Sequence, residues 1–447
     1  MSAPYLSWFQ IVRLGLVQSA IGSIVVLSTS TMNRVMVVEL ALPAVVPGAL
    51  VGLHYAVQLL RPYWGHSSDV SRRRTPWIIG GMTMLALGAL LASLSILLLS
   101  SSTTAGLLLA VVAFTMIGLG VGAAGTSLLA LLAAKAGEDK RSGAATLVWL
   151  MMIAGIAITA ISVGKVLDPY SAQRLVVVTL IVGAIAVGLA SVALWGLETQ
   201  NSDNAPVRDL ARQTPVGFKA AVLDVWSDGP ARRLTIFVFV SMLAYNAQDL
   251  ILEPFSGSVF GYTPGQSTEL SGIQHGGVFA GMLLIGFLGM KVRSIPLATW
   301  AVLGCIASSV ALLGLSVAAF RGESWPMSLN VWALGFSNGA FAVATIGTMM
   351  ALAKAGRHKS EGVRMGVWGA AQGLAFGIGG FLGTVIVDVA RLMSGSVEFS
   401  YASAFCLEAL LFLGASLLVV GMPRGDDRAA SHWRAPATLA NGEPVKG

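Results

Sequence analysis

Long apolar stretches separated by short polar segments run through almost the whole chain. Each stretch has about the twenty residues that a helix needs to cross a bilayer. The second stretch is the least regular, because Pro43, Pro47 and Gly48 lie at its start. The pattern predicts an all-α membrane protein with twelve transmembrane helices, at residues 11–31, 46–64, 77–100, 105–133, 144–166, 174–196, 233–252, 271–290, 295–319, 327–352, 363–389 and 401–421.

One polar segment occurs twice, 219 residues apart. Residues 134–149 read AKAGEDKRSGAATLVW, and residues 353–368 read AKAGRHKSEGVRMGVW. Each copy joins two apolar stretches, so the chain is predicted to be a duplication of six helices. The expected organisation is two pseudo-symmetric six-helix halves, a cytoplasmic linker and a cytoplasmic tail, at residues 1–197, 232–422, 198–231 and 423–447 respectively.

Composition and charge support a membrane location. Hydrophobic residues make up 55% of the chain, charged residues 11%, and the mean hydropathy is +0.77, whereas soluble domains have about 25% charged residues. The net charge of +7 gives no reason to expect nucleic acid, since the basic residues concentrate in alternate loops. The positive-inside rule places both termini in the cytoplasm. The other face has only Arg34, Lys165, Arg174, Arg321 and Arg391.

The loop between the second and third stretches reads GHSSDVSRRR. It resembles the loop signature of the major facilitator superfamily, which has a glycine, an aspartate four residues later and a basic pair. The corresponding residues here are Gly65, Asp69, Arg73 and Arg74, and we expect them to form a structural clamp in which Asp69 accepts hydrogen bonds. The superfamily has a glycine where this chain has Arg72.

Three further segments resemble the PucC family. They are RLGLVQ at 13–18, the segment 28–69 that includes NRVMVVEL, and RRTPWIIGGM at 73–82. This resemblance implies a major-facilitator-like protein in a bacterial inner membrane, cytoplasmic or intracytoplasmic. It also implies bacteriochlorophyll as ligand or cargo, a role in assembling light-harvesting complexes, and as partners antenna polypeptides, pigment-synthesis enzymes and the lipid bilayer.

His54 and His275 are candidate pigment ligands. They lie in the second and eighth stretches, within one residue of equivalent positions. A neutral imidazole can ligate the magnesium of a chlorophyll-type ring through one nitrogen while an acceptor holds the other. The alternative interpretation is a buried histidine bonded to a backbone carbonyl between helices.

Asn33, Arg34 and Glu39 are candidate contacts for pigment or for an antenna polypeptide, and Glu253 is the counterpart of this group in the second half. Residues five apart share a face of an α-helix poorly, so the spacing does not assure an ion pair between Arg34 and Glu39. The alternative is that these residues anchor the chain at the outer membrane surface.

Few acids lie deep in the predicted helices. Glu408 is the main one, and Asp249 and Glu253 are predicted near the outer end of the seventh helix. Such groups are expensive in a bilayer and are typical of proton-coupled transporters. The sequence contains no phosphate-binding loop, metal-ligand cluster or nucleophile elbow, so we expect no enzyme. A transporter of a small lipophilic solute and a pigment-free chaperone for antenna polypeptides remain the alternatives.

Overall fold

The computed structural model describes residues 5–60, 64, 73–137, 140–198, 223, 226–291, 295–354 and 361–420, without the side chains of 134, 141, 142, 289, 290, 350–354 and 361–366. Within these residues the regular elements are helices. Twelve of them form the bundle: α1 (Trp8–Glu39), α2 (Val45–Leu60), α3 (Thr75–Leu99), α4 (Thr103–Lys135), α5 (Arg141–Leu167), α6 (Ala172–Leu194), α7 (Gly229–Phe260), α8 (Pro264–Lys291), α9 (Leu297–Arg321), α10 (Met327–Lys354), α11 (Glu361–Ser394) and α12 (Val397–Val419).

The predicted all-helical membrane fold is confirmed. Eleven of the described helices are long and apolar enough to cross a bilayer, and α2 is the shorter apolar helix. Helix α2 begins at Val45, directly after the Pro43 turn and within one residue of the predicted start, and it is described as far as Leu60. Two large clusters of buried apolar side chains form the core, one from α1–α6 with Leu250 and one from α7–α12.

Helix α1 departs from regular α-helical geometry near its end. Two five-residue π-helical segments, Leu27–Thr31 and Val35–Glu39, flank a single α-helical stretch, Met32–Arg34. The chain then turns through Ala41, which has a positive φ of 50° although it is not a glycine. Irregular turns of this kind are uncommon and often mark functional sites.

The predicted bounds of the seventh and eighth helices were too short. Helix α7 runs to Phe260 rather than to residue 252, and it ends at Gly261 in the left-handed conformation. Helix α8 begins at Pro264 rather than at residue 271. The sequence pattern failed here because the polar residues of these turns are buried against other helices instead of lying in a loop.

The two halves meet along three sets of helices. Helix α5 packs on α8, α2 packs on α11, and the end of α1 reaches α7 and α8. We call the end of the bundle that contains the α1–α2 connection the distal end, and the positive-inside rule predicts that it faces outward. Among the described residues, the hydrogen bonds between halves lie at this end, except for one between Tyr55 and Asn246.

Candidate functional site

A cluster of buried polar side chains lies between α7 and α8. The Gln274 side-chain amide donates to the Asp249 carboxylate over 3.2 Å. His275 lies near enough to Asp249 to act on its charge. Both Gln274 and His275 are buried, at 2% and 6% exposed. The cluster therefore combines a half-buried acid with a buried amide and a buried imidazole.

Two more acids extend this cluster. Glu408 of α12 is 2% exposed, and its two carboxylate oxygens have no hydrogen-bond partner among the described residues. It lies near Asp249. Glu253 is 1% exposed and lies beside Thr268 and Ser271 of α8. Asp249 and Glu253 lie in the outer half of α7, but farther from its end than expected, because the helix continues about three and two turns beyond them.

His275 has one ring nitrogen fixed and one available. Its Nδ1 lies 2.9 Å from the carbonyl oxygen of Ser271, one turn earlier in α8. Since a carbonyl only accepts, Nδ1 carries a proton, and in the neutral ring Nε2 then has a lone pair. The described part of the chain offers Nε2 no hydrogen-bond partner. This arrangement combines a free nitrogen with a held one, as axial ligation requires.

His54 has different surroundings at the equivalent place. Its Nε2 lies 2.9 Å from the side-chain nitrogen of Gln58, one turn later in α2, so Nε2 accepts a hydrogen bond from that amide. The side chain is 1% exposed and packs edge-on against Tyr55 at 4.8 Å. Helix α4 contacts α2 at this point, since a Cβ on Gly118 would lie 2.6 Å from the His54 carbonyl oxygen. The geometry therefore favours His275 over His54 as a ligand.

Arg34 and Glu39 form a direct ion pair, with Nη1 and Oε1 2.5 Å apart. The π-helical turn at Val35–Glu39 explains this, because a wider turn with i to i+5 bonding brings residues five apart onto one face. Arg34 is 2% exposed and also donates to the carbonyl oxygen of Tyr262, in the other half. Its burial does not fit the role of a surface anchor.

The neighbours of Arg34 also cross between the halves. Asn33 donates to the carbonyl oxygen of Leu250 at 2.5 Å, and the hydroxyl groups of Thr31 and Thr268 are 3.0 Å apart. Tyr170 lies close by, in the α5–α6 connection. Its burial and the Glu39 carboxylate raise the pKa of Tyr170 to about 12, so the phenol remains protonated at neutral pH. Asn33 and Arg34 are thus part of the interface between halves, and Glu39 is attached to it through Arg34.

The loop clamp is described only in part. Gly65 and Asp69 lie outside the described residues. The backbone N–H groups of Arg74 and Thr75 donate to the Glu198 carboxylate at 2.8–3.0 Å. Glu198, which the motif did not indicate, thereby caps the start of α3 from the end of α6. Arg73 lines a shallow surface pocket beside these groups.

An apolar groove of about 390 Å³ lies on the surface between α2 and α11. Small residues form part of its wall, including Gly52 and Gly377, and Phe381 lies at its edge. Behind it, Tyr55 contacts Phe376 at 5.7 Å, and Phe376 stacks on Tyr245 at 6.2 Å. Tyr245 in turn lies near Asp249. Aromatic side chains therefore connect this groove to the polar cluster.

The chain is similar to known proteins along nearly its whole length. It is 49% identical over 437 residues to a protein of Rhodobacter capsulatus named "Bacteriochlorophyll synthase 44.5 kDa chain", covering 97% of this chain and 99% of that one. It is 29% identical to "Protein PucC" of the same organism, covering 92% and 91%.

Among solved structures, a D-xylose–proton symporter has the same fold, with a TM-score of 0.70 and 13% identity. The likeness covers 94% of this chain and 98% of the symporter. The major-facilitator type of fold is therefore confirmed, and at this identity the likeness shows the fold alone. The sequence pattern of the PUCC protein family matches residues 31–426. The chain is a multi-pass membrane protein, and it belongs to the PucC family.

Proposed function

We propose that this protein binds bacteriochlorophyll and delivers it to the polypeptides of a light-harvesting complex, without catalysing a reaction. The pigment is cargo, and His275 is the side chain that holds its magnesium. The single observation that supports this best is the state of the His275 ring, with Nδ1 held by the Ser271 carbonyl and Nε2 left without a partner in the described chain. A fixed tautomer presents a ready lone pair to a metal.

The family relationship supports the cargo. One relative is named for bacteriochlorophyll synthase, and several are named PucC. The present sequence has none of the nucleophile, phosphate-loop or metal-cluster motifs that would indicate an enzyme. In this proposal the protein accepts bacteriochlorophyll from a pigment-synthesis enzyme and carries it within the membrane.

The interior position of His275 favours a pigment site inside the bundle over one confined to the lipid-facing groove. The groove between α2 and α11 is lined by apolar and small residues and offers no imidazole. The aromatic side chains behind it provide a surface on which a flat ring can stack. In this proposal the ring of the pigment lies near His275, and the groove accommodates the apolar part of the pigment.

The test compares variants purified in mild detergent from a host that makes bacteriochlorophyll. The readout is the near-infrared absorbance per mole of protein. His275→Ala is expected to lose most of the pigment, whereas His54→Ala is the matched control and is expected to keep it. His275→Gln is a second variant of closer size, in case the alanine variant folds poorly.

Metal-free bacteriopheophytin makes the test specific for ligation. If Nε2 binds magnesium, the metal-free pigment should bind the wild type weakly and should be insensitive to the His275 substitutions. A well-folded wild type without pigment would contradict the proposed cargo. Equal pigment loss in both alanine variants would instead contradict the role given to His275.

A second candidate function is proton-coupled transport of a lipophilic solute. Three acids favour it, because the half-buried Asp249 and the buried Glu253 and Glu408 all lie within the membrane-spanning part of one half. An ionisable group at the bilayer centre costs about 2.5–3.5 kcal/mol on insertion scales, so three of them are more than packing requires. Uptake of a fluorescent lipophilic probe into proteoliposomes, with and without a pH gradient, separates this function from pigment delivery.

A further inference from the structure

Two aspartates join the halves at the distal end. Asp168 directly follows α5, and Asp388 lies in α11, the equivalent helix of the other half. They are 220 residues apart, close to the repeat offset of 219. Each carboxylate contacts the first turn of the second helix of the opposite half, so the two contacts are related by the internal repeat.

Asp388 caps α2. Its two carboxylate oxygens accept hydrogen bonds from the backbone N–H groups of Ala44 at 3.1 Å and Val45 at 2.7 Å. Helix α2 has no side-chain cap of its own, because Ala44 occupies the position that Ser, Thr, Asp or Asn would normally take. A carboxylate is also favoured there by the helix dipole. The missing cap of one half is thus supplied by the other.

Asp168 contacts the start of α8 in a similar way. It accepts a hydrogen bond from the Thr263 hydroxyl at 3.0 Å. Thr263 begins α8 through a reciprocal pair of hydrogen bonds with Gln266. The carboxylate lies directly against this turn, since a Cβ on Gly265 would be 2.6 Å from its Oδ1. Glycine at position 265 therefore allows the close approach.

A third equivalent pair lies between these two contacts. Arg34 and Glu253 are 219 residues apart, and both are buried where α1 meets α7. The guanidinium group packs on Gly257, where a Cβ would be 2.9 Å from Nη2. The irregular turns of α1 and the positive φ of Ala41 occur at the same end. Charge contacts and unusual backbone therefore coincide where the halves close.

We propose that Asp168 and Asp388 are two equivalent latches that hold the distal end of the bundle closed in this conformation and that release together when the halves separate there. The inference does not depend on the identity of the cargo. Hydrogen bonds that a carboxylate accepts from groups at a helix start are directional, so a small tilt of one half breaks them while the apolar contacts persist.

The test measures distances across the distal end of the full chain in lipid nanodiscs. Spin labels are placed at Gln173 and Glu323, two exposed distal positions in opposite halves, after Cys305 and Cys406 are replaced by alanine. The Asp168→Ala, Asp388→Ala double variant is expected to gain a longer-distance population by pulsed electron paramagnetic resonance. Each single variant should show a smaller gain.

Two controls isolate the latches. Labels at Gln173 and Ser101, which are both in the first half, should report no change in any variant. Glu398→Ala removes an exposed acid at the same end that bonds only to Ser396 in its own first turn, and it should leave the Gln173–Glu323 distances unchanged. A shift as large as that of the double variant would contradict the proposal, since it would show a general charge effect.

An unchanged distance distribution in a folded double variant would overturn the proposal. If Asp388→Ala lowers the yield because α2 loses its cap, Asp168→Ala decides alone, since that side chain is exposed and its loss should not affect folding. Asp388→Asn keeps one acceptor for the first turn of α2 and should give an intermediate population. An asparagine variant that stays as closed as the wild type would contradict a role for the second carboxylate oxygen.

Discussion

The two halves share a backbone plan but differ in how they use their interior. In the first half, Nε2 of His54 accepts a hydrogen bond from the side chain of Gln58. The described acids there, Glu39, Asp168 and Glu198, lie at helix ends. In the second half, His275 keeps Nε2 without a described partner, two acids (Glu253 and Glu408) are buried in the helices, and Asp249 is half-buried. The two halves therefore share their helix packing, whereas among the described residues the buried acids lie in the second half.

The largest effect is expected at Arg34, a residue of the first half that lies close to Glu253 of the second half. Arg34→Ala removes a buried cation that pairs with Glu39, donates to the Tyr262 carbonyl oxygen and lies near enough to the buried Glu253 to act on its charge. Leaving the partners of such a group unsatisfied costs about 1–3 kcal/mol. We expect a correspondingly large fall in the free energy of unfolding, measured by denaturant titration in detergent.

Two further variants show whether that effect depends on Glu39 or on Glu253. Glu39→Gln removes a partner that is 37% exposed, and it should cost about 1 kcal/mol or less. The Arg34→Ala, Glu253→Gln double variant should recover part of the lost stability, because the uncompensated acid is gone. Purely additive effects would show that the equivalent residues are not coupled.

A smaller effect is expected at Gln58. Gln58→Leu removes the amide donor from Nε2 of His54 and should cost about 1 kcal/mol, the typical value of one hydrogen bond. If hydrogen bonding is what distinguishes the two histidines, this variant should also bind more pigment per mole of protein. Gln274→Leu is the matched control in the second half. Unchanged pigment binding in Gln58→Leu would mean that packing, and not the Gln58 amide, prevents His54 from binding pigment.

The smallest effect is expected at Glu408. Both of its oxygens lack a partner in the described chain, so an uncharged amide of the same size should change stability by about 1 kcal/mol or less. In a pigment carrier, Glu408→Gln should leave antenna assembly nearly intact, as measured by the light-harvesting absorption of whole cells. Full loss of assembly would support the transport alternative and would give the buried acids a direct role.

The apolar pattern was enough to predict the helices, because length and hydropathy alone decide whether a segment can cross a bilayer. It failed at the end of α7 and the start of α8, where polar residues such as Glu253 and Glu269 suggested a loop. In a bundle of this size such residues can face other helices, and a single sequence does not show which neighbours they have.

The site residues were predictable to different degrees. Asn33 and Arg34 were singled out correctly as unusual, but their partners across the halves depend on tertiary contacts. The Arg34–Glu39 pair was missed because the 3.6-residue period does not hold in a π-helical turn. Asp168 and Asp388 have one signal in the sequence, namely the recurrence of the same residue type within one residue of the repeat offset.

The cap of α2 has a consequence for how the protein is made. Asp388 is synthesised 344 residues after Ala44. At the usual synthesis rate of 5–20 residues per second, about 20–70 s pass between the synthesis of Ala44 and that of the carboxylate that caps α2. During that interval the nascent first half must keep an unfinished helix end in water or against the insertion machinery. Biogenesis of the first half is therefore completed only when the eleventh helix has entered the membrane.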